Sequence, residues 1–205
     1  MSDFGNIILL NGPPRGGKSS IARVIQAEFP GVWINLGVDN YMAMIPKQFQ
    51  PGIGLRPGGE APHLEPMIET LYAAMYESIA AHSRLGVNIV ADVGHHDWYS
   101  RKLFILPRCA RLLCGLPAML VGVRCPIEEV MRRREATWGK GYDEDGSVPE
   151  PVKRWQRAVH EPGIYDVEVD TSQNTAEECA AIIRARMESP KPLSALKKLV
   201  DFGQE

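Results

Sequence analysis

Gly12-Pro13-Pro14-Arg15-Gly16-Gly17-Lys18-Ser19 matches the pattern G-x-x-x-x-G-K-[ST] at every fixed position. Its neighbours decide how it folds. Ile7-Ile8-Leu9-Leu10 before it is a short apolar run, the pattern of a strand covered on both faces. From Ser20 to Phe29, Ile21, Val24, Ile25 and Phe29 fall on one stripe, the pattern of a helix packed on that strand. A strand, a glycine-rich loop and a helix N-terminus in this order make a phosphate cradle. The glycines let backbone N–H groups turn toward oxygens, a lysine adds positive charge, and a serine hydroxyl suits a hard cation. The stretch therefore reads as a nucleoside-triphosphate site, contributed by Gly12, Pro13, Pro14, Arg15, Gly16, Gly17, Lys18, Ser19 and Ser20, with ATP and Mg²⁺ as its expected ligands.

The 205 residues suffice for one domain with a small lid, and 44% apolar residues supply a full core. A net charge of −2 gives no general attraction to nucleic acid or to a membrane surface. No apolar run approaches the roughly 18 residues of a spanning helix. The chain enters a strand almost at once, so no signal peptide is expected. Cys109, Cys114, Cys125 and Cys179 lack metal-ligand spacing and fit reduced thiols. The expected location is cytoplasmic, with no nucleic-acid or membrane partner.

Strand and helix patterns alternate along the chain. Further strands are expected at residues 32–36, 87–92, 118–124 and 167–169. Helices are expected at 64–82, at 97 to about 113 with a disturbance at Pro107, from Pro126 through Arg134, and at 150–160. Thr175-x-x-Glu178 is a capping box opening a last helix through Met187. Such alternation predicts an α/β fold: a mostly parallel five-stranded sheet with helices on both faces, in a domain spanning 1–189. Residues 46–62, rich in Gly and Pro, read as a substrate-covering loop, and 136–149 as a mobile lid. Residues 190–205 form a tail, either a short packed helix or a loose end, with no evident chemistry.

Ligands of such sheets bind at the carboxyl ends of the strands, which directs attention to Asp39, Asp92 and Arg124. Asp39 reads equally as a general base that takes the proton of an acceptor hydroxyl or as an N-cap of a helix near Tyr41. Asp92 reads as the acid that holds Mg²⁺ together with Ser19, or as a strand-end turn residue. His95, His96 and Asp97 make a poor zinc cluster, since adjacent side chains seldom face one ion; helix capping and substrate contact suit them better. Arg132, Arg133 and Arg134 point in different directions on a helix, so one or two of them can reach phosphates. Lys140 is a further phosphate candidate. Arg15 is either a phosphate contact or a solvent-facing spacer.

Taken in order, Asn11-Gly12 with its loop, Gly37-Val38-Asp39, Ala91-Asp92-Val93, Val121 to Cys125, Arg134-Glu135, Val159-His160-Glu161 and Tyr165 to Thr171 resemble the chloramphenicol phosphotransferases. The likeness runs from about Asn6 to Ile183. It implies a P-loop kinase fold and an ATP-dependent phosphotransferase acting on a hydroxyl of a small molecule. It implies catalytic roles for Asp39 as base, Lys18 and Arg134, nucleotide contacts by Lys18 and Arg134, and Mg²⁺ contact by Ser19. The chain departs from the family after Arg134-Glu135, where a further arginine is either missing or replaced by Lys140, and in the acidic run Asp143-Glu144-Asp145. Lysine lacks the guanidinium fork. The 46–62 loop has no family counterpart, so the acceptor is open between chloramphenicol and another alcohol, such as a nucleoside or sugar acid. Two other readings are a non-catalytic nucleotide-binding regulator and a polynucleotide-end kinase. The net charge and the lack of a basic–aromatic stripe weigh against the latter.

Overall fold

The computed structural model describes residues 4–50, 52–139 and 141–203. Five strands, β1 (Ile7–Asn11), β2 (Trp33–Asn35), β3 (Asn88–Val93), β4 (Ala118–Arg124) and β5 (Val167–Asp170), form one sheet in the order β2-β3-β1-β4-β5. Every pairing is parallel. Successive strand residues point to opposite faces, so β1 feeds two cores. Ile7 and Leu9 face one layer, built from α3 (Glu65–Arg84), α4 (Ile105–Leu112) and α8 (Ala195–Phe202). Ile8 and Leu10 face the other, built from α1 (Lys18–Glu28) and α7 (Ala176–Glu188). Burial on both faces explains why β1 is apolar without alternation. Between these elements lie α2 (Val38–Ala43), α5 (Ile127–Trp138) and α6 (Glu150–Ala158).

Several boundaries differ from the sequence expectation. The helix expected from residue 97 begins only at Ile105. The Asp97 Oδ1 accepts the N–H groups of Leu103 and Phe104, each at 2.9 Å, and so closes 97–104 into a loop. Phe104 leaves that loop in the left-handed region, at φ 52°. Pro107 then falls in the first turn of α4, where its missing N–H is not required, and it disturbs nothing. Helix α5 continues past Arg134 to Trp138 and stops at Gly139, φ 65°, so the expected lid gives its first residues to the helix. In the 46–62 loop, read as substrate-covering, Ile53 and Leu55 are buried, and the carbonyl of Ile53 accepts the Tyr72 hydroxyl at 3.2 Å. In the tail, α8 seats Leu196 and Leu199 in the core. Lys140 lies outside the described residues. Among the described residues no helix is long and apolar enough to cross a membrane.

One buried side chain fastens the carboxyl end of the sheet. Asn11, 1% exposed at the tip of β1, donates from Nδ2 to the Val159 carbonyl at 2.8 Å and to the Tyr165 hydroxyl at 2.9 Å. Its Oδ1 accepts the His95 N–H at 2.8 Å. Asn11 thus joins the tip of β1 to the chain after β3 and to the chain after α6. Removing a buried hub strands its partners, at about 1–3 kcal/mol for each group left unsatisfied. Losing the exposed cap of α7 by Thr175→Ala costs about 1 kcal/mol. In urea denaturation, Asn11→Ala is therefore expected to lose more stability than Thr175→Ala. Equal losses would contradict the role given to Asn11.

Candidate functional site

The loop between β1 and α1 turns tightly because its backbone has no alternative. A Cβ on Gly12 would sit 2.4 Å from the Val123 carbonyl oxygen, since β4 crosses beside it. Arg15 and Gly17 both adopt positive φ, 64° and 89°, and Gly17 is the N-cap of α1. No side chain caps this helix; the Ser20 N–H donates to the Gly17 carbonyl at 3.1 Å, which leaves the Lys18 and Ser19 N–H groups for a ligand at the cleft. Lys18 folds back, its Nζ donating to the carbonyls of Gly12 and Pro13 at 2.7 and 2.8 Å. Burial pulls the Lys18 ammonium down to about 8, against the nearby Asp92 and Asp39 carboxylates that hold it up.

Asp92, at the end of β3, is buried, and its Oδ2 accepts the Ser19 hydroxyl at 2.7 Å. The two residues expected to share a cation are therefore in direct contact. Gly37 presses on the same carboxylate: a Cβ there would lie 1.7 Å from the Asp92 Oδ1. Gly37 is also the N-cap of α2, which answers the capping alternative for Asp39. Asp39 instead occupies the first turn of α2, where the helix dipole favours a negative charge. Its exposed side chain lines the cleft and has no hydrogen bond or ion pair among the described residues.

The cleft has a volume of about 750 Å³. It is lined by the loop, by Arg133, Thr171 and Asn174, and by Asp39, Ile53, Tyr72 and Trp155. Tyr72 and Trp155 gave no signal in the sequence. Arg133 donates to the Thr171 carbonyl at 2.7 Å, to the Thr171 hydroxyl at 3.1 Å and to the Arg15 carbonyl at 3.3 Å. The Thr171 hydroxyl in turn donates to the Gly16 carbonyl at 2.8 Å. This chain of bonds clamps the loop to the end of β5. Arg133 also shares Glu129 with Arg132, while Arg134 turns away from the cleft wall. Trp155 packs where a Cβ on Gly94 would come within 3.1 Å of its ring, so the glycine after β3 makes room for it.

The two histidines after β3 separate. His95 is buried, its Nε2 2.6 Å from the Tyr76 hydroxyl and its ring tilted by 34° against Tyr72 at 4.8 Å between centroids. Burial pulls it down to about 3, so it is neutral and supports the Tyr72 wall. His96 Nε2 meets the Leu55 carbonyl at 3.0 Å and anchors the 46–62 loop to the cleft. Among the described residues no group of three or more His, Cys, Asp or Glu side chains is arranged to hold a metal by itself.

The contact of Gly37 with Asp92 generates a test. Gly37→Ala must swing the carboxylate off the Ser19 hydroxyl, with a stability loss of about 1–3 kcal/mol. Combining it with Ser19→Ala is expected to cost less than the sum of the two, because both remove one bond. Strict additivity in chemical denaturation would show that the contact carries no energy.

Comparison with known proteins agrees with this geometry. The family model described as "Chloramphenicol phosphotransferase-like protein" matches residues 5–188. A Mycobacterium tuberculosis protein named "Putative O-phosphotransferase" is 27% identical over 198 residues, covering 86% of this chain and 79% of that protein. Among solved structures, the M. tuberculosis APS kinase in complex with AMPPNP and APS superposes with a TM-score of 0.64 at 13% identity, over 91% of this chain and 99% of that one. Shikimate kinase from Acinetobacter baumannii, in complex with shikimate, gives 0.56 at 14% identity, over 89% and 92%. These two likenesses concern the fold, a parallel sheet with the phosphate loop after its first strand. With the family model covering nearly all of its length, the chain belongs to the chloramphenicol phosphotransferase-like family.

Proposed function

We propose that the protein is an ATP-dependent phosphotransferase that moves the γ-phosphate to a hydroxyl of a small molecule. The observation that carries this reading is an unpaired carboxylate, Asp39, on the same cleft as an uncapped phosphate loop. The family match and the relative named as an O-phosphotransferase support it. Phosphoryl transfer asks mainly for positioning and charge neutralisation. The loop amides and Lys18 would hold the phosphates, with Lys18 exchanging two carbonyl partners for phosphate oxygens. Ser19 and Asp92 are hard oxygen donors, as Mg²⁺ requires, and phosphate oxygens and water would complete its shell. When bound, the ion would neutralise charge on the phosphates. Arg133 keeps the loop in register through Thr171, and the base would lie near Thr171–Asn174, of which Thr171 and Asn174 line the cleft.

Across the cleft, Asp39 would align the acceptor hydroxyl and take its proton. The acceptor oxygen then bonds to the γ-phosphorus as the bond to the ADP oxygen breaks, and ADP leaves. Ile53, Tyr72 and Trp155 give the same cleft apolar surface, which suits a small organic alcohol.

Transfer of labelled phosphate across antibiotics, nucleosides and sugar acids tests the reading. Asp39→Ala is expected to lower the rate by about 10²–10⁴-fold while binding of AMPPNP changes less than about twofold. Wild-type turnover by this variant would overturn the base assignment. Nucleotide binding with no turnover on any acceptor would favour a non-catalytic regulator. For the metal, Asp92→Asn is expected to raise the Mg²⁺ concentration needed for half-maximal AMPPNP binding, with little effect on binding in EDTA. An unchanged Mg²⁺ requirement would remove Asp92 from the ion's shell.

A further inference from the structure

Beside the cleft lies a second hollow of about 560 Å³, and Pro14, Gly54, Trp138 and Trp155 line both. Its remaining walls come from the 46–62 loop (Arg56), α5 (Arg134) and the chain leading into α6 (Tyr142). We propose that this hollow holds the anionic end of the acceptor: an alcohol with a flat apolar body bearing a carboxylate or a phosphate, read by Arg134 and Arg56. The word acceptor rests on the kinase reading above; the binding site itself does not.

The argument begins with an imbalance among three adjacent arginines. Arg132 and Arg133 both bind Glu129, with N–O distances of 2.7 Å. Arg134 enters no ion pair among the described residues, and its Nε is buried there without a hydrogen-bond acceptor. A buried guanidinium nitrogen left unpaired is costly. A second cation adds to it: the Arg134 and Arg15 guanidinium carbons lie 4.8 and 4.2 Å from the centroid of one ring, Trp138. Burial, Arg15 and Arg56 all act against the charge on Arg134, and Asp143 alone acts for it. Arg56, on the facing loop, has an exposed and long contact with Glu60, at 3.7 Å, and Glu60 is shared with Arg154. Arg56 and Arg134 line the hollow against one carboxylate, Asp143, so its charge is positive on balance over apolar walls.

Those walls set the rest of the ligand. Trp138, Tyr142 and Trp155 offer aromatic surface, and Pro13, Pro14 and Val152 add aliphatic surface. A flat hydrocarbon body packs on such faces, and a guanidinium fork pairs with a carboxylate or phosphate. Gly54 and Trp155 border both the hollow and the cleft, and in this proposal one molecule places its anion here and its hydroxyl toward Asp39. The same geometry separates the roles of two neighbouring arginines: Arg133 serves the phosphate loop, and Arg134 serves specificity.

The test measures binding without turnover. The full chain, saturated with Mg²⁺ and ADP, is titrated with benzoate, phenyl phosphate and benzyl alcohol, followed by tryptophan fluorescence and calorimetry. At least one anion is expected to saturate a single site with at least about tenfold higher affinity than benzyl alcohol. The tighter of the two names the group. Arg134→Gln is expected to abolish that preference, and Arg56→Gln, on an exposed loop position, to reduce it. Equal affinity for all three probes, no saturable binding of either anion, binding only when ADP is absent, or a preference unmoved in both variants would overturn the proposal. The comparison of anion with alcohol on the unaltered protein stands even if Arg134→Gln fails to fold. No phosphate transfer by the unaltered protein to any acceptor would defeat the kinase reading and leave these affinities untouched.

Discussion

The structure depends on leaving the N-terminus of one helix uncapped. Helix α1 starts inside the glycine-rich loop with no side chain on its first-turn amides, and the loop backbone is forced by the nearness of Val123 and by two residues at positive φ. Unsatisfied N–H groups and the positive end of a helix dipole are tolerated in a folded chain when water or an anion can reach them. Here a cleft of about 750 Å³ gives that access. Other elements keep the loop in place: Asn11 fixes the tip of β1, and Arg133 with Thr171 fixes the loop to β5.

Much of this was legible in the sequence because the signals are local. The phosphate loop is a contiguous motif, and each strand of a parallel sheet covered on both faces declares itself as a short apolar run. The capping box at Thr175 is likewise complete within four residues, and it forms as written. The family resemblance and the five-stranded sheet follow from these pieces.

What stayed hidden depends on contacts between distant residues. Asp97 looks like a helix start, yet its carboxylate binds amides six and seven residues later and delays the helix. Nothing local distinguishes Arg133 from Arg134; only the path of α5 past the loop decides which guanidinium meets Thr171 and which lines the neighbouring hollow. Gly37 appears in the sequence as half of a motif with Asp39, whereas its backbone also makes room for the Asp92 carboxylate, 55 residues away by number. The 46–62 loop, poor in periodic signal, is ordered by carbonyl bonds to Tyr72 and His96.

The central claim is a phosphate cradle facing a free carboxylate, and a crystal structure with AMPPNP and Mg²⁺ tests it most directly. The account predicts the terminal phosphate on the amides between Gly12 and Ser20, Lys18 Nζ transferred from the Gly12 and Pro13 carbonyls to phosphate oxygen, and Asp39 facing that phosphate across an open acceptor space. An analogue bound elsewhere, or bound with Lys18 still on its carbonyls and Asp39 turned to bulk solvent, would contradict it.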